Sequence, residues 1–218
     1  MLCKALIAIP MQEINNIIPN YSDFCLYKSV KEGDMESLRS ILSNNDINVN
    51  QKDYYRLTPL HHAILNTHLD VVKLLLSYPN INVNEKDTSH KTPLHFAVEK
   101  RNIEIVTALL SVPSILVNKK DKNGSTALHI ATSEKNGIEV VNALLRSPDI
   151  DVHQKDNSKK TPLELAVKIG YIGAVKSLLD IPGIFSNAPD NYAQKILKYA
   201  IENNQPKCIT LLEKAMNK

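Results

Sequence analysis

The chain has no tryptophan, only three cysteines and almost no excess of either charge. Each shortage excludes something. Cys3, Cys25 and Cys208 are odd in number and far apart, so they indicate neither a disulfide framework nor a thiolate metal site. A reducing, cytosolic compartment fits them best. Lysine and arginine number 26 against 23 aspartates and glutamates, a formal net charge of +3 over 218 residues. A nucleic-acid surface needs basic residues gathered on one face; Lys119, Lys120, Lys122, Lys159 and Lys160 have acids among them and read as a solvated surface. No run reaches the roughly eighteen apolar residues of a membrane span. The apolar start, residues 1–10, is short and lacks a small-residue cleavage site, so no secretory signal is expected. Missing too are the phosphate loop G-x-x-x-x-G-K-S/T, the H-E-x-x-H metal pair and the G-x-S-x-G nucleophile elbow.

What the chain does have is self-similarity. Thr58-Pro59-Leu60-His61-His62-Ala63 returns as Thr92-Pro93-Leu94-His95-Phe96-Ala97. It returns again as Thr126-Ala127-Leu128-His129-Ile130-Ala131 and as Thr161-Pro162-Leu163-Glu164-Leu165-Ala166. The threonines are 34, 34 and 35 residues apart, and Asp53, Asp87, Asp121 and Asp156 each stand five residues before one. Asp190 continues the series. Pro79, Pro113, Pro148 and Pro182 close the units, followed by Ile-x-Val-Asn segments at 81–84 and 115–118 and, more loosely, at 150–153.

Each part has a physical reading. Threonine caps a helix because its hydroxyl accepts from an orphan N–H of the first turn. Proline at the next position has no N–H to waste and a preset φ. Thr161 and Glu164 have the spacing of a capping box. Leu60 and Ala63 share one face of a short first helix, and the small alanine lets a neighbour approach closely. Paired apolar residues at helical spacing mark a second helix: Val71, Val72, Leu74 and Leu75 in one copy, Ile105, Val106, Leu109 and Leu110 in the next. The proline after it breaks the helix. Two short helices and a projecting turn cannot bury their apolar face alone, so such units must stack.

These motifs resemble the ankyrin repeat, whose D-x-x-G-x-T-P-L-H-x-A pattern stands here as Asp121-Lys122-Asn123-Gly124-Ser125-Thr126-Ala127-Leu128-His129-Ile130-Ala131. A 34-residue period also suits tetratricopeptide repeats, but that pattern includes a tryptophan. The resemblance implies an all-α solenoid of stacked helix-turn-helix units with hairpin-like turns, about six units including two degenerate caps. The boundaries expected are a capping repeat at 22–52, repeats at 53–86, 87–120, 121–155 and 156–189, and a C-terminal capping repeat at 190–218, where Lys195-Ile196 replaces Thr-Pro. Residues 1–21 form an N-terminal extension with the pattern of a short helix. The turn glycine survives only as Gly124; Arg56, His90 and Lys159 stand in its place, implying a strained turn or another turn type. The extra residue of the third copy, near Asn136-Gly137, implies a looser turn there.

His61, His95 and His129 are the obvious candidates for chemistry. They recur once per unit, about 8–10 Å apart in stacked helices, whereas ligands sharing a metal lie within about 4 Å of one another. The expectation is that each imidazole ties backbone groups together. No catalytic residue, cofactor or metal is expected, and the chain reads as a non-enzyme.

The resemblance further implies that a protein partner binds the turn tips and the adjacent first-helix ends, which together form a concave face. The tip positions are Tyr54, Tyr55, Arg56 and Leu57, then Ser89, His90 and Lys91, then Lys122 and Asn123. The helix positions are Leu65 and Asn66, Glu99 and Lys100, and Ser133 and Glu134. Tyr54-Tyr55-Arg56 stands out because tyrosine and arginine dominate binding hot spots. The function expected is a monomeric interaction scaffold or adaptor in the cytoplasm that binds protein, with no nucleic acid and no membrane. An Asn-, Ile- and Lys-rich composition fits a microbial effector delivered into a host cell's cytosol. The alternative is a regulator that inhibits an enzyme or transcription factor by masking its surface.

Overall fold

The computed structural model describes residues 21–44, 47–135, 137–186 and 191–217. Among them are twelve helices, in six consecutive pairs, and no strand. They are α1 (Tyr21–Glu32) with α2 (Met35–Leu42), α3 (Pro59–Leu65) with α4 (Leu69–Leu76), and α5 (Pro93–Glu99) with α6 (Ile103–Leu110). Then come α7 (Ala127–Ser133) with α8 (Ile138–Leu145), α9 (Pro162–Ile169) with α10 (Ile172–Leu179), and α11 (Tyr192–Glu202) with α12 (Pro206–Met216). The extension expected at the N-terminus lies outside the described residues but for its last position.

The first helices stack in chain order from α1 to α11, and the second helices do so from α4 to α12. Neighbour packed on neighbour makes the fold a solenoid. Helices of seven or eight residues are too short to stand alone in water, so this stacking supplies their stability. Leu60, Leu94, Leu128 and Leu163 are buried in the layer between units, and Ala63, Ala97, Ala131 and Ala166 with them. On the second helices Val71, Val72 and Leu75 are buried, as are their equivalents Ile105, Val106 and Leu109. The threonines cap as their chemistry dictates. Thr58, Thr126 and Thr161 accept from the N–H of His61, His129 and Glu164, at 3.4, 3.4 and 3.2 Å.

The missing turn glycines do not change the turn. Arg56, His90 and Lys159 adopt φ of 61°, 60° and 59°, beside 73° at Gly124. The tips keep one backbone geometry and accept the strain of a side chain in it. The turn between paired helices behaves likewise, with left-handed Thr67 and Arg101 at φ 56° and 55°. In the third copy the extra residue moves that role past Lys135 to Gly137, at φ 108°.

The last unit departs from the expected register. Its first helix begins at Tyr192, so Lys195 and Ile196 lie inside α11 rather than at its start. Lys195 has no hydroxyl to cap with, and Asn191 in left-handed backbone precedes the helix instead. Tyr192 then hydrogen-bonds the Thr161 hydroxyl at 2.7 Å, tying α11 to the start of α9. Cys208 is a free, buried thiol at a core position of α12. Cys25 is buried in α1.

Candidate partner-binding surface

Each tip is built around an aspartate. The Asp53 carboxylate accepts from the N–H groups of Tyr55 and Leu57, both at 2.9 Å. Asp87 does the same for Ser89 and Lys91 at 2.9 and 2.7 Å, and Asp121 for Asn123 and Ser125, both at 2.8 Å. A backbone pair closes the turn: Asp53 N–H donates to Leu57 O at 3.0 Å and Arg56 N–H to Asp53 O at 2.9 Å. Successive tips are stitched by single backbone bonds. Thr88 N–H donates to Tyr55 O at 3.0 Å, Lys122 N–H to Ser89 O at 3.0 Å, and Asn157 N–H to Asn123 O at 2.9 Å. Four tips therefore form one continuous edge along the stacked first helices.

The histidines hold that edge to the helices. His95 Nδ1 accepts from the Thr92 backbone N–H at 3.1 Å and lies 2.8 Å from its hydroxyl; His129 makes the same contacts to Thr126 at 3.2 and 2.8 Å. An accepting Nδ1 leaves the proton on Nε2. That atom donates to Ser125 O from His95 at 3.1 Å, and to Lys160 O from His129 at 3.0 Å. Each imidazole thus clamps its own helix start to the turn of the next unit. Burial lowers the pKa of both below the ordinary range, and His61 is lowered to about 4 by burial, partly opposed by Asp87. These are neutral structural imidazoles. His61 Nε2 is buried without a hydrogen-bond partner, and Glu164, in the fourth copy, bonds the Thr161 N–H at 2.8 Å in place of an imidazole.

Tyr54 and Tyr55 are 92% and 62% exposed, and pack edge to face with ring centroids 5.4 Å apart. Their rings rest on each other rather than in the core. Arg56 is exposed beside them and Leu57 is half-buried. On the next tips Ser89, His90, Lys122 and Asn123 are exposed, while Lys91 is half-buried and ion-paired with Glu99. At the helix ends Leu65 is half-buried, and Asn66 is exposed but donates its amide to His62 O at 2.8 Å. Lys100 and Ser133 are exposed, and Glu134 is exposed and ion-paired with Arg101. The tyrosines and Arg56 are thus brought together, whereas several helix-end groups already have partners within the chain.

The family model for ankyrin repeats (three copies) matches residues 2–87, 26–121, 80–156 and 133–218, which together span almost the whole chain. This is an ankyrin-repeat protein. Ankyrin repeats are generally protein–protein interaction modules, and the family is typically non-catalytic. Comparison with curated proteins finds no match. No described helix is long and apolar enough to cross a membrane.

Around this ankyrin frame lie contacts that sequence reading did not assign, among them one made by Lys120, which reads in the sequence only as part of a solvated surface. Asn50, Asn84 and Asn118 each grip the loop of the following repeat with both ends of the side-chain amide. Asn84 Nδ2 donates to Ser114 O at 2.8 Å while its Oδ1 accepts from Leu116 N–H at 2.9 Å; Asn50 and Asn118 repeat the pattern. Lys86 and Lys120 donate to the carbonyls of Lys120 and Lys155, each at 2.7 Å. Tyr27, on α1, donates to Gln51 O and Leu57 O at 2.6 and 3.0 Å, anchoring the base of the first tip. The signal was present: the three asparagines are 34 residues apart. In the third copy His153 holds that place, with its Nδ1 buried and unpartnered.

Proposed function

We propose that this ankyrin-repeat chain is a non-catalytic adaptor that binds a protein partner along the tip edge, with its main contact at Tyr54, Tyr55 and Arg56. The observation that carries the reading is the exposure of two adjacent aromatic rings, 92% and 62%, on a turn whose backbone is fixed. The fold gains little from them there. A partner gains two large, amphipathic surfaces at small entropic cost, because tyrosine has few rotamers to lose. The turn is rigid before binding: Asp53 holds it from within and Tyr27 holds its base. Preorganisation of that kind lowers the ordering cost of association. The later tips and the helix-end residues Leu65, Lys100 and Ser133 extend the surface along the same edge.

The test is affinity capture from cell lysate, read by mass spectrometry, with wild type beside a Tyr54→Ala/Tyr55→Ala variant of equal folded stability. A protein retained by wild type and lost by the variant supports the reading. Equal capture by both removes the tyrosine tip from the binding site.

A further inference from the structure

The first tip differs from the others in what holds it. Thr88, Lys122 and Asn157 each donate a backbone N–H to the tip before them. Tyr54 stands in the same place after Asp53, and among the described residues its N–H has no acceptor. The tyrosine tip is therefore bonded to a neighbouring tip on one side only. Two side chains hold it from beneath. One is Tyr27, bonded to Leu57 O. The other is His62, whose Nε2 lies 2.9 Å from Asp53 Oδ2. Oδ1 of the same carboxylate accepts from the N–H groups of Tyr55 and Leu57, so both its oxygens are engaged. The equivalent residues of the next three repeats are Phe96, Ile130 and Leu165, which have no side-chain donor to offer a carboxylate. Asp87, Asp121 and Asp156 hold their turns by one oxygen, and no described side chain hydrogen-bonds the other.

His62 is itself fixed. It is 7% exposed, and its ring meets the Tyr27 ring edge to face with centroids 5.3 Å apart. Tyr27 is held in turn by its hydroxyl bonds to Gln51 O and Leu57 O. A buried ring against a fixed neighbour has little rotamer freedom left, and its bond to an ionised carboxylate is stronger than one between neutral groups. A polar ring at a position that is apolar in the other three repeats costs desolvation, which that bond offsets. The exchange falls on the tip that carries the two exposed tyrosines. Resting on the tip-surface reading above, we infer that His62 is the positioning residue of the partner site: through Asp53 it fixes the turn that presents Tyr54 and Tyr55. It is too buried to touch the partner. Its effect is to leave less of the turn for the partner to order.

Two substitutions separate positioning from packing. His62→Phe supplies the ring that Phe96 supplies in the next repeat and removes the donor. Asp53 can then turn to water, its side chain being 25% exposed. His62→Gln keeps an N–H donor at a similar reach. Hydrogen–deuterium exchange at residues 54–57 is compared with exchange at 122–125, whose aspartate has no such partner. Affinity capture from cell lysate is run on the same variants beside Tyr54→Ala/Tyr55→Ala. His62→Phe should quicken exchange at the Tyr55 and Leu57 amides about tenfold, as loss of a hydrogen bond to a charged group requires, and leave 122–125 unchanged. It should lower recovery of the protein that the tyrosine variant loses by about threefold or more. His62→Gln should restore most of both. Unchanged exchange at 54–57 in His62→Phe, or equal quickening of the two segments, would overturn the inference. So would His62→Gln behaving as His62→Phe, which would assign the effect to packing. A protein lost with the tyrosines but captured equally by His62→Phe would leave the tip surface standing and remove the positioning role; one captured equally by the tyrosine variant would remove the tip surface as well.

Discussion

The side-chain amide of Asn84 donates to the carbonyl oxygen of Ser114, 2.8 Å away in the loop of the next repeat. Because its other end accepts from Leu116, one side chain satisfies two backbone groups across a seam between repeats. Asn84→Ala removes both bonds and should destabilise the fold by about 1–3 kcal/mol. Asn80→Ala, in the exposed loop before it, should stay within about 0.5 kcal/mol of wild type. Urea unfolding of the two variants checks the contrast.

Left-handed tip residues predict an inverse pair of substitutions. Lys159→Gly should stabilise by about 1 kcal/mol, since the same backbone is free of strain in glycine. Gly124→Ala should do the opposite and by more. A methyl group there would come 2.8 Å from the Asn157 backbone nitrogen, which is fixed by its bond to Asn123. Thermal unfolding of both variants reads the two signs.

Burial sets a pH dependence. His61 titrates at about 4 in the fold and near 6.5 in an unfolded chain. Between these values the unfolded chain binds the proton and the fold does not, so acidification favours unfolding. Stability should be full above about pH 6.5, fall through the window and level off near pH 4 as far as this residue decides it. His95 and His129 shift in the same direction and add to the slope. His61→Gln keeps an acceptor for the Thr58 N–H and cannot titrate. Its melting temperature should fall less steeply between pH 7 and pH 4.5 than that of wild type.

The frame was legible because its determinants are local. Thr-Pro starts, buried leucine–alanine faces and the aspartate five residues upstream are read straight from the chain; His95 and His129 tie backbone groups together as expected, whereas His61 bonds only its own Thr58. The turn geometry at Arg56, His90 and Lys159 was not fixed by sequence, because nothing local distinguishes a strained turn from a different one. The contacts of neighbouring repeats, above all tip to tip, decide it. Lys195 misled for a related reason: repeat spacing marked it as a helix start, but α11 already begins at Tyr192, which is held by its bond to Thr161 of the preceding repeat. The asparagine clamps were visible as spacing but not as bonds, since their partners lie in the following repeat.

Tyr27 links the cap to the first tip. Tyr27→Phe removes the donor to Gln51 O and Leu57 O, and should cost about 1–3 kcal/mol. Amide exchange at residues 54–57 should quicken in that variant even where the helices α3 and α5 remain protected.

Hydrogen–deuterium exchange of the chain, with and without a captured partner, tests the central claim most directly. The account predicts protection at residues 54–57, 88–91 and 122–125, strongest around Tyr54 and Tyr55, with the outer helices α4, α6 and α8 unchanged. Protection confined to those outer helices, with the tips exchanging as in the free chain, would contradict it.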